Sequence, residues 1–382
     1  MNSPNYTNSL DMIFLISGSP LPAMLDMVVR AKALGSTPIL IILDRGESDL
    51  IIDDASFDFE VLKIKVNYSS VGLSRFLSMF NIWRVLKRLV KHRLRAQGYV
   101  MTSTFDLLFV AVSLRVLGDF SIRHQVRDLH KLQLGNGAIS RLFRFVERLL
   151  MGYVDKLIVS SQGFLDGYYN DIYSGDSLLL ENVPPVDIWE NFEKKPFDKD
   201  EIVIGFIGIL RYKKSLFALI DAVETLRSKK KNIRVLFAGG AMGNDLEELE
   251  SRISLKDGFI FSGPYQYSRD IKKLYARVDL IYAVYDEYDL NCKIAMPNKF
   301  YESLLTGYPI LVAANTFVGS QVQALGIGRT ISLQNKEELI LALEEATMDN
   351  SWYESAANVL EGQMVSKYVS QYSAVLDLSV VL

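Results

Sequence analysis

The residues with the clearest chemical potential lie in one stretch, MPNKFYESLLTGYP at 296–309. Pro297 suits the first position of a helix, where its missing N–H costs nothing, and Gly307 suits the end. The unpaired N–H groups of the first turn and the helix dipole favour an anion, and Lys299 adds a full positive charge. Glu302, one turn further on, would not hold a phosphate but would accept hydrogen bonds from vicinal hydroxyls, such as those of a ribose. The alternative is an ordinary helix start followed by a solvated carboxylate.

Three other segments of the second half end a strand-like run in glycine or a turn. They are GFIGILRYKKSLFALIDAV (205–223), LFAGGAMGNDLEELE (236–250) and FSGPY (261–265). Ligands of open α/β sheets bind beyond the C-terminal ends of the strands, so these segments are expected at one edge together with 296–309.

Hydrophobic periodicity predicts the elements that position these residues. Strands are predicted at 12–17, 38–43, 59–66, 122–126, 156–161, 177–182, 202–208, 233–240, 258–263, 278–285 and 309–314. Helices are predicted at 21–34, 74–97, 139–151, 215–229, 246–253 and 269–276, and in the opening stretch. Apolar strands without polar alternation, separated by helices, indicate parallel sheets covered on both faces.

The length of 382 residues predicts two α/β domains, each a doubly wound Rossmann-like sheet, facing each other across a central cleft. Prolines and charges replace the periodicity at 181–201, so we place the first domain at 1–190 and the second at 191–367. The apolar segment 368–382 is expected to pack, with a return to the first domain as one possibility.

Composition narrows the class of protein. No uncharged apolar run reaches the ~20 residues of a membrane-spanning helix, and Asp11 precedes an apolar segment that lacks the basic start of a secretory signal. A single cysteine, Cys292, excludes a disulfide framework and a cysteine-based zinc site. A cytoplasmic protein is therefore expected.

Taken in order, GFIG…LRYKK, LFAGG, FSGPY and MPNKFYESLLTG resemble the C-terminal domain of the two-Rossmann-domain (GT-B) glycosyltransferases. The resemblance is strongest to the retaining enzymes of glycosyltransferase family 4. In the first half, VRDLH (126–130), VSSQG (159–163) and ENVPPVDIWENF (181–192) are similar to segments of that family's cleft and interdomain region. The resemblance covers nearly the whole chain.

In that family a nucleotide-diphospho-sugar lies across the second domain, so the resemblance implies donor-binding roles. Arg211 and Lys214 would contact the diphosphate, where cations offset the charge that develops on the leaving nucleotide. Asn298, Lys299 and the helix start would hold the same diphosphate, and Glu302 would bind the ribose hydroxyls. A solvated basic helix start is the alternative for Arg211 and Lys214.

The resemblance also implies contacts made by backbone. The segments around Gly240 and around Pro264 and Tyr265 would frame the base. Gly18, in the first loop, would let the N-terminal domain approach the donor closely.

The catalytic residues implied by the resemblance are Arg127, Asp128 and His130, which domain closure would bring against the donor sugar. The alternatives are a structural ion pair for Arg127 and Asp128 and a loop histidine satisfied by its surroundings for His130. Only three histidines are present, so no metal site built from them is expected.

The chain departs from the family pattern at three places. Many relatives carry a Glu eight residues before the second Glu, and Ile294 stands there. The candidates to replace that Glu are Asp286, Glu287 and Asp289. Where relatives often have a cation shortly after the glycine of the strand exit, Ile209 follows Gly208. Many members also have His-Asp where this chain has Arg127-Asp128.

No metal and no cofactor are expected. The run YDEYD (285–289) has the composition of a metal site, but GT-B enzymes usually stabilise the leaving group without a metal. It is interpreted as an acidic loop, and the donor as a UDP- or GDP-sugar.

One segment is strongly basic. Between Arg75 and Arg148, 14 Lys or Arg residues against 4 acidic ones give +10, so the rest of the chain carries −13. Within it, 74–97 places Phe76, Phe80, Trp83, Leu86, Val90 and Leu94 at helical spacing. We interpret it as a helix that contacts anionic lipid and its linked acceptor. The assigned residues are Trp83, Arg84, Lys87, Arg88 and Lys91. A core-packing helix with a solvated basic face is the alternative, and nucleic acid is not expected because no recognised motif accompanies the charge.

The sequence thus predicts a glycosyltransferase that moves a sugar, with retention, from a nucleotide-diphospho-sugar to a hydroxyl of a lipid-linked glycan. It would act in cell-surface polysaccharide biosynthesis as a peripheral protein at the inner face of the cell membrane. The alternatives are a nucleotide-sugar epimerase of the same fold and a non-catalytic partner subunit of a glycosyltransferase.

Overall fold

The computed structural model describes residues 11–17, 22–33, 35–44, 58–66, 73–92, 94, 98–198, 200–240, 245–253, 256–348 and 351–357. These residues fall into two units, one within Met1–Glu181 and one within Asn182–Tyr368. The division follows Glu181, whereas the sequence prediction put the domain boundary after residue 190. Gly18 and the expected return of 368–382 lie outside the described residues.

Among the described residues, the first unit forms a parallel sheet of seven strands in the order β3-β2-β1-β4-β5-β6-β7. The strands are β1 Asp11–Ser17, β2 Thr37–Asp44, β3 Glu60–Lys65, β4 Tyr99–Thr102, β5 Ser121–Val126, β6 Lys156–Val159 and β7 Asp176–Leu179. The helices are α1 Pro22–Ala33, α2 Leu73–His92, α3 Phe105–Leu114, α4 Lys131–Leu134, α5 Ala138–Met151 and α6 Gln162–Gly167. The apolar run of β2 is buried along its length, as a strand covered on both faces requires.

The connections of this unit determine which helices share a face of the sheet. The steps from β3 to β4, from β4 to β5 and from β5 to β6 all advance in one direction along the strand order. Right-handed crossovers therefore place α2, α3 and α5 on one face, and α1 on the other. Helix α3 packs against both α2 and α5.

The second unit repeats this plan with a parallel sheet in the order β10-β9-β8-β11-β12-β13. Its strands are β8 Ile202–Ile207, β9 Ile233–Ala238, β10 Phe259–Phe261, β11 Leu280–Ala283, β12 Ile310–Ala313 and β13 Gly328–Ile331. Its helices are α7 Lys213–Ser228, α8 Asp245–Ile253, α9 Tyr267–Tyr275, α10 Leu290–Ile294, α11 Asn298–Thr306, α12 Phe317–Leu325, α13 Lys336–Met348 and α14 Ser351–Ala357. The inward sides of β8, β9 and α7 supply much of its buried apolar core.

The predicted doubly wound α/β class is confirmed, but individual elements differ from the prediction. Strands β4 and β13 were not predicted, because each has four residues and lacks a long apolar run. The helix predicted to end at residue 97 ends at His92 among the described residues. None of the described helices is both long and apolar enough to cross a membrane.

Candidate functional site

Helix α11 is the centre of the carboxyl edge of the second unit, the side on which its strands end. Pro297 is the N-cap of this helix, with φ −75° and ψ 150°, so the prediction that it is the first helical residue was wrong by one position. Asn298 is the first helical residue and is exposed, whereas residues 299–306 are all buried. Gly307 ends the helix in the left-handed conformation, as predicted, with φ 65°.

Glu302 lies inside the unit, so the alternative of a solvated carboxylate was wrong. Its side chain accepts a hydrogen bond from the Tyr267 hydroxyl at 2.8 Å on one oxygen and from the Tyr275 hydroxyl at 2.6 Å on the other. Burial, and next the charge of Glu302, raise the pKa of both tyrosines well above the usual value, which keeps them protonated as donors. Each carboxylate oxygen has a second lone pair, so Glu302 retains capacity to accept from a ligand.

The charged side chain of Lys299 lies at the same carboxyl edge of the second unit. The residue is 9% exposed, and a Cβ built on Gly208 would lie 2.6 Å from the Lys299 ammonium. The ammonium lies 5.4 Å from the ring centre of Phe206 and 5.9 Å from that of Tyr285. No hydrogen bond or ion pair joins it to another residue that the structure describes. A buried cation without a counter-charge is a binding group for an anion.

The floor of this edge consists of glycines from three neighbouring strand exits. Gly208 and Gly239 both have φ +140°, and Gly263 has φ +71°. A Cβ on Gly239 would fall 1.8 Å from the carbonyl oxygen of Gly208, and the Gly239 N–H donates to Gly263 O at 2.8 Å. The sequence prediction chose Gly240, whose carbonyl accepts from the Leu210 N–H at 2.8 Å, and overlooked Gly239. The repeated strand-then-glycine pattern was the signal for both positions.

The residues predicted around the base lie beside this floor. Pro264 is exposed and Tyr265 is half-buried. Burial raises the pKa of Tyr265, with further contributions from the charge of Glu302 and from Tyr285. Tyr265 is therefore close enough to Glu302 and Tyr285 to share their electrostatic environment.

The predicted cations at the start of α7 are exposed. Arg211 lies with its guanidinium carbon 4.8 Å from the ring centre of Tyr212, whose ring packs 4.9 Å from that of Tyr285. This aromatic pair links Arg211 to the surroundings of Lys299. Lys214 is also exposed, and no contact among the described residues joins it to Lys299.

Each of the three carboxylates of the acidic loop accepts a hydrogen bond from another group of the protein. Asp286 accepts from the Tyr288 N–H at 3.0 Å, and Asp289 caps α10 by accepting from the Cys292 N–H at 3.2 Å. Glu287 is buried and accepts from the Ser332 hydroxyl at 2.8 Å. Ile294 is the last residue of α10. Across the described part of the chain, no group of three or more His, Cys, Asp or Glu side chains is arranged to hold a metal ion.

In the first unit, a cavity of about 830 Å³ opens at the ends of β4 and β5. The predicted catalytic residues Arg127, Asp128 and His130 all line it. Further lining residues include Thr104, His124, Gln125 and Phe109. The structure thus brings the three predicted residues to one cavity together with polar groups that the prediction did not name.

His130 has a structural task in this cavity. It is the N-cap of α4, where its ring Nδ1 accepts from the Leu132 N–H at 3.2 Å and its backbone N–H donates to Gln133 Oε1. Its ring stacks 5.7 Å from that of Phe143. Because Nδ1 is an acceptor, the proton of the neutral ring is on Nε2. The interpretation of His130 as a loop histidine satisfied by its surroundings agrees with this geometry.

Two buried residues of β5 were missed. The His124 ring lies 2.8 Å from the Thr102 hydroxyl, and burial lowers the pKa of His124 to about 4. The side-chain oxygen of Gln125 is buried and has no hydrogen-bond partner among the described residues. The run of three polar residues, RHQ, between the apolar Ile122 and Val126 of this strand was the signal that could have found them.

Helix α2 buries two members of the predicted apolar series and one residue outside it, and exposes another member. Ile82, Leu86 and Val90 are buried, whereas Phe80 is about half exposed and stacks on Trp83 at 6.0 Å. Lys87 lies 4.7 Å from the ring centre of Trp83. The other assigned cations, Arg84, Arg88 and Lys91, are exposed. The outer face of α2 therefore combines aromatic rings with cations.

Comparison with known proteins agrees with this architecture. Residues 187–360 match the family model described as glycosyl transferases group 1, which identifies a domain of this kind in the second unit. The chain is 22% identical over 352 residues to the succinoglycan biosynthesis protein ExoL of Rhizobium meliloti (strain 1021), covering 88% of this chain and 85% of the relative.

Two solved structures show the fold. Sucrose-phosphate synthase from Thermosynechococcus elongatus superposes with a TM-score of 0.72 at 13% identity, covering 97% of each chain. HepE from Anabaena, solved in complex with UDP and glucose, superposes with a TM-score of 0.71 at 15% identity, covering 98% of this chain and all of the other. The predicted GT-B class, with two Rossmann-like domains, is therefore confirmed.

Proposed function

We propose that the protein transfers a sugar from a nucleotide-diphospho-sugar to a hydroxyl of a glycan acceptor. One observation carries this proposal. The buried ammonium of Lys299, which has no ion-pair partner among the described residues, lies over Gly208 beside a helix N-terminus and one turn from the buried carboxylate of Glu302. A diphosphate would pair with the ammonium and with the N–H groups at the helix start, and the adjoining ribose hydroxyls would donate to the remaining lone pairs of the carboxylate.

The donor is proposed to lie along the carboxyl edge of the second unit. Asn298 and the first turn of α11 donate to the diphosphate together with Lys299. Arg211 and Lys214 approach it from the start of α7, and both are exposed and therefore accessible to a ligand. The HepE structure was solved with UDP and glucose, which supports a UDP-sugar as the donor here.

The glycines at the three strand exits leave space for the rest of the proposed donor. Side chains at Gly208 or Gly239 would occupy the space at the strand exits, so their absence allows backbone to approach the nucleotide closely. Gly240, Pro264 and Tyr265 are proposed to frame the base.

In the proposed reaction, the bond between the anomeric carbon and the diphosphate oxygen breaks, and a bond to the acceptor oxygen forms on the same face of the sugar. The acceptor's hydroxyl proton passes to the departing phosphate oxygen. Lys299, Arg211 and Lys214 offset the charge that develops on the diphosphate, so no metal or other cofactor is invoked. Retention and membership of glycosyltransferase family 4 are parts of this proposal.

The acceptor is proposed to occupy the 830 Å³ cavity of the first unit. A hydroxyl of the acceptor supplies the donor that the buried oxygen of Gln125 lacks. Arg127, Asp128 and His130 line the same cavity and are proposed to orient the sugars. ExoL is a succinoglycan biosynthesis protein, and this relationship supports a glycan acceptor, which we propose is lipid-linked and destined for a cell-surface polysaccharide.

The protein is proposed to work at the inner face of the cell membrane. The outer face of α2, with Trp83, Arg84, Lys87, Arg88 and Lys91, is proposed to contact anionic lipid headgroups. No nucleic acid is involved in this proposal.

A sugar-nucleotide panel with membrane extract as acceptor tests the reaction, with release of free nucleotide as the readout. We expect acceptor-dependent release with one donor, and a sharp loss of it in Glu302→Ala and Lys214→Ala with an unchanged circular dichroism spectrum. Full activity of both variants would contradict the donor site. Conversion of a donor without any acceptor would indicate an epimerase, and no release with any donor would indicate a non-catalytic subunit.

A further inference from the structure

Helix α5 exposes a continuous apolar stripe. The exposed fractions are 72% for Ile139, 62% for Leu142, 61% for Phe145 and 56% for Leu149. These residues follow each other at intervals of three, three and four, so they lie along one side of the helix. A large apolar stripe of this kind on a folded unit marks a surface that contacts another body.

The polar side of α5 holds the helix in this orientation. Glu147 is buried and accepts from Gln133 at 2.6 Å and from the Tyr168 hydroxyl at 2.6 Å. Arg144 donates to the carbonyl oxygens of Gln133 at 3.0 Å and Gly135 at 2.5 Å. Rotating the stripe inward would break these bonds and expose the network, so its exposure is built into the fold.

The neighbouring helices also expose aromatic residues. Helix α3, which packs against α5, exposes about half of Phe109, and Phe109 also lines the cavity. Helix α2, which packs on the other side of α3, exposes Phe80 beside Trp83. These helices cover the same face of the sheet, so the stripe, Phe109 and the aromatic pair belong to one side of the unit.

The charges around the stripe are positive. Arg141 and Arg148 are exposed and lie on the helix beside Phe145, and the only acidic residue of α5 is the buried Glu147. The segment that carries the three helices has a charge of +10 between Arg75 and Arg148. The partner must therefore be apolar and anionic. A two-fold contact between copies of this face would bring arginines together, which disfavours a second copy.

We infer that the α5 stripe inserts into the headgroup region of an anionic lipid bilayer. This goes beyond the contact proposed for α2, in which cations touch the headgroups, because it assigns the apolar insertion to Leu142, Phe145 and their neighbours. The inference rests on the proposed membrane location but not on the transfer reaction. A basic amphipathic helix with an apolar face is the usual element for such binding.

The test is flotation of the full chain with phosphatidylcholine vesicles, with and without phosphatidylglycerol. We expect flotation that requires phosphatidylglycerol, and a loss of partitioning of about tenfold or more in the double variant Leu142→Ser, Phe145→Ser. The matched control is Leu341→Ser, Met348→Ser, which changes two equally exposed apolar residues of α13 and should float like the wild type. Equal flotation of the stripe variant and the wild type, or no flotation of the wild type, would overturn the inference.

A second measurement tests the inference even if the double serine variant folds poorly. The tryptophan probes are placed in a Trp83→Phe background, which leaves only the buried Trp189 and Trp352 as other tryptophans. In that background Phe145→Trp should show a blue-shifted emission on addition of phosphatidylglycerol vesicles, and Leu341→Trp should not. An unshifted Phe145→Trp would contradict insertion. We expect light scattering to show the same oligomeric state for the wild type and the stripe variant. Self-association of the wild type that the stripe variant abolishes would instead assign the surface to a second copy of the chain. Nucleotide release with a water-soluble acceptor is measured in parallel, so a failed transfer reaction and a failed membrane contact give different results.

Discussion

The carboxyl edges of the two units differ although their sheets are built to the same plan. In the second unit α11 begins on the side where β11 ends, and the buried carboxylate of its Glu302 is held by two tyrosine hydroxyls. In the first unit the edge opens into a cavity of about 830 Å³, in which the buried oxygen of Gln125 has no partner among the described residues. The same strand order therefore supports one edge that is organised in advance and one that leaves room.

The difference lies in the segments that follow the strands. Glycines at three exits let the chain of the second unit pack closely, so that Lys299 reaches Gly208. In the first unit the chain after β5 leads into a short helix capped by His130. Aromatic residues such as Phe143 line the open cavity beside it. The organised edge suits the diphosphate of the proposed donor, and the open cavity suits the hydroxyls of the proposed acceptor.

The largest expected effect is at Lys299. Lys299→Met should lower nucleotide release by about 100-fold or more, because in the proposed donor site a buried cation beside the leaving diphosphate is screened by solvent less than an exposed one. Lys214→Met should lower nucleotide release by only about tenfold, because the charge of the exposed Lys214 is screened by water and salt. Steady-state kinetics measure both, with the exposed Lys229→Met as the control. A larger loss in Lys214→Met than in Lys299→Met would reverse the comparison between buried and exposed cations.

The hydroxyls around Glu302 come next. Tyr275→Phe should lower the free energy of unfolding by about 2–3 kcal/mol, since a buried carboxylate loses a donor. Tyr288→Phe, in an exposed tyrosine of the same unit, should change it by less than about 0.5 kcal/mol. Denaturant titration followed by circular dichroism compares them. If the two variants are equally stable, the carboxylate is not organised by its tyrosines.

The pH dependence of stability probes the first unit. The pKa of His124 in the folded protein is about 4, below the usual histidine value of 6.5, so between these values the unfolded chain binds a proton that the folded protein does not. Its contribution is present above pH 6.5 and falls toward pH 4, and we expect a loss of about 1.5–2 kcal/mol between about pH 7 and about pH 5. Urea titrations at both pH values should show a shallower dependence in His124→Gln and an unchanged one in His92→Gln. An identical slope in all three proteins would exclude His124 as its source.

The smallest expected effect is at Gln125. Gln125→Met should raise the KM for the acceptor by about tenfold, through loss of one hydrogen bond, while leaving acceptor-independent donor hydrolysis unchanged. The variant should be at least as stable as the wild type, because it removes a buried polar atom without a partner. Gln162→Met, on the exposed side of the same unit, is the control. An unchanged acceptor KM would separate the cavity from the acceptor site.

Much of the carboxyl edge of the second unit could be predicted from local sequence patterns. The end of α11 at Gly307 and the glycines after β8 and β9 follow from backbone rules that depend on a few neighbouring residues. The positions of Lys299 and Glu302 near the start of a helix follow in the same way. The burial of Glu302 did not follow, since its partners Tyr267 and Tyr275 belong to a different helix.

The outer helices of the first unit show the opposite outcome. Helical spacing in 74–97 predicted an amphipathic helix, but an apolar series does not tell which of its members turn inward, and Phe80 is half exposed. Helix α5 is the stronger case, because the expected inward side of an amphipathic helix faces outward and the polar Glu147 is buried. A buried network with Gln133 and Tyr168 outweighed the usual rule.

The sequence by itself determined the two parallel α/β units, the strand exits that end in glycine and the helix start that favours an anion, since each depends on interactions between residues close in the chain. Only the tertiary structure decided that Lys299 lies over Gly208, that tyrosines hold Glu302, that Gln125 faces a cavity and that α5 turns its apolar side outward. Those outcomes depend on contacts between segments distant in sequence, whose energies no local pattern contains.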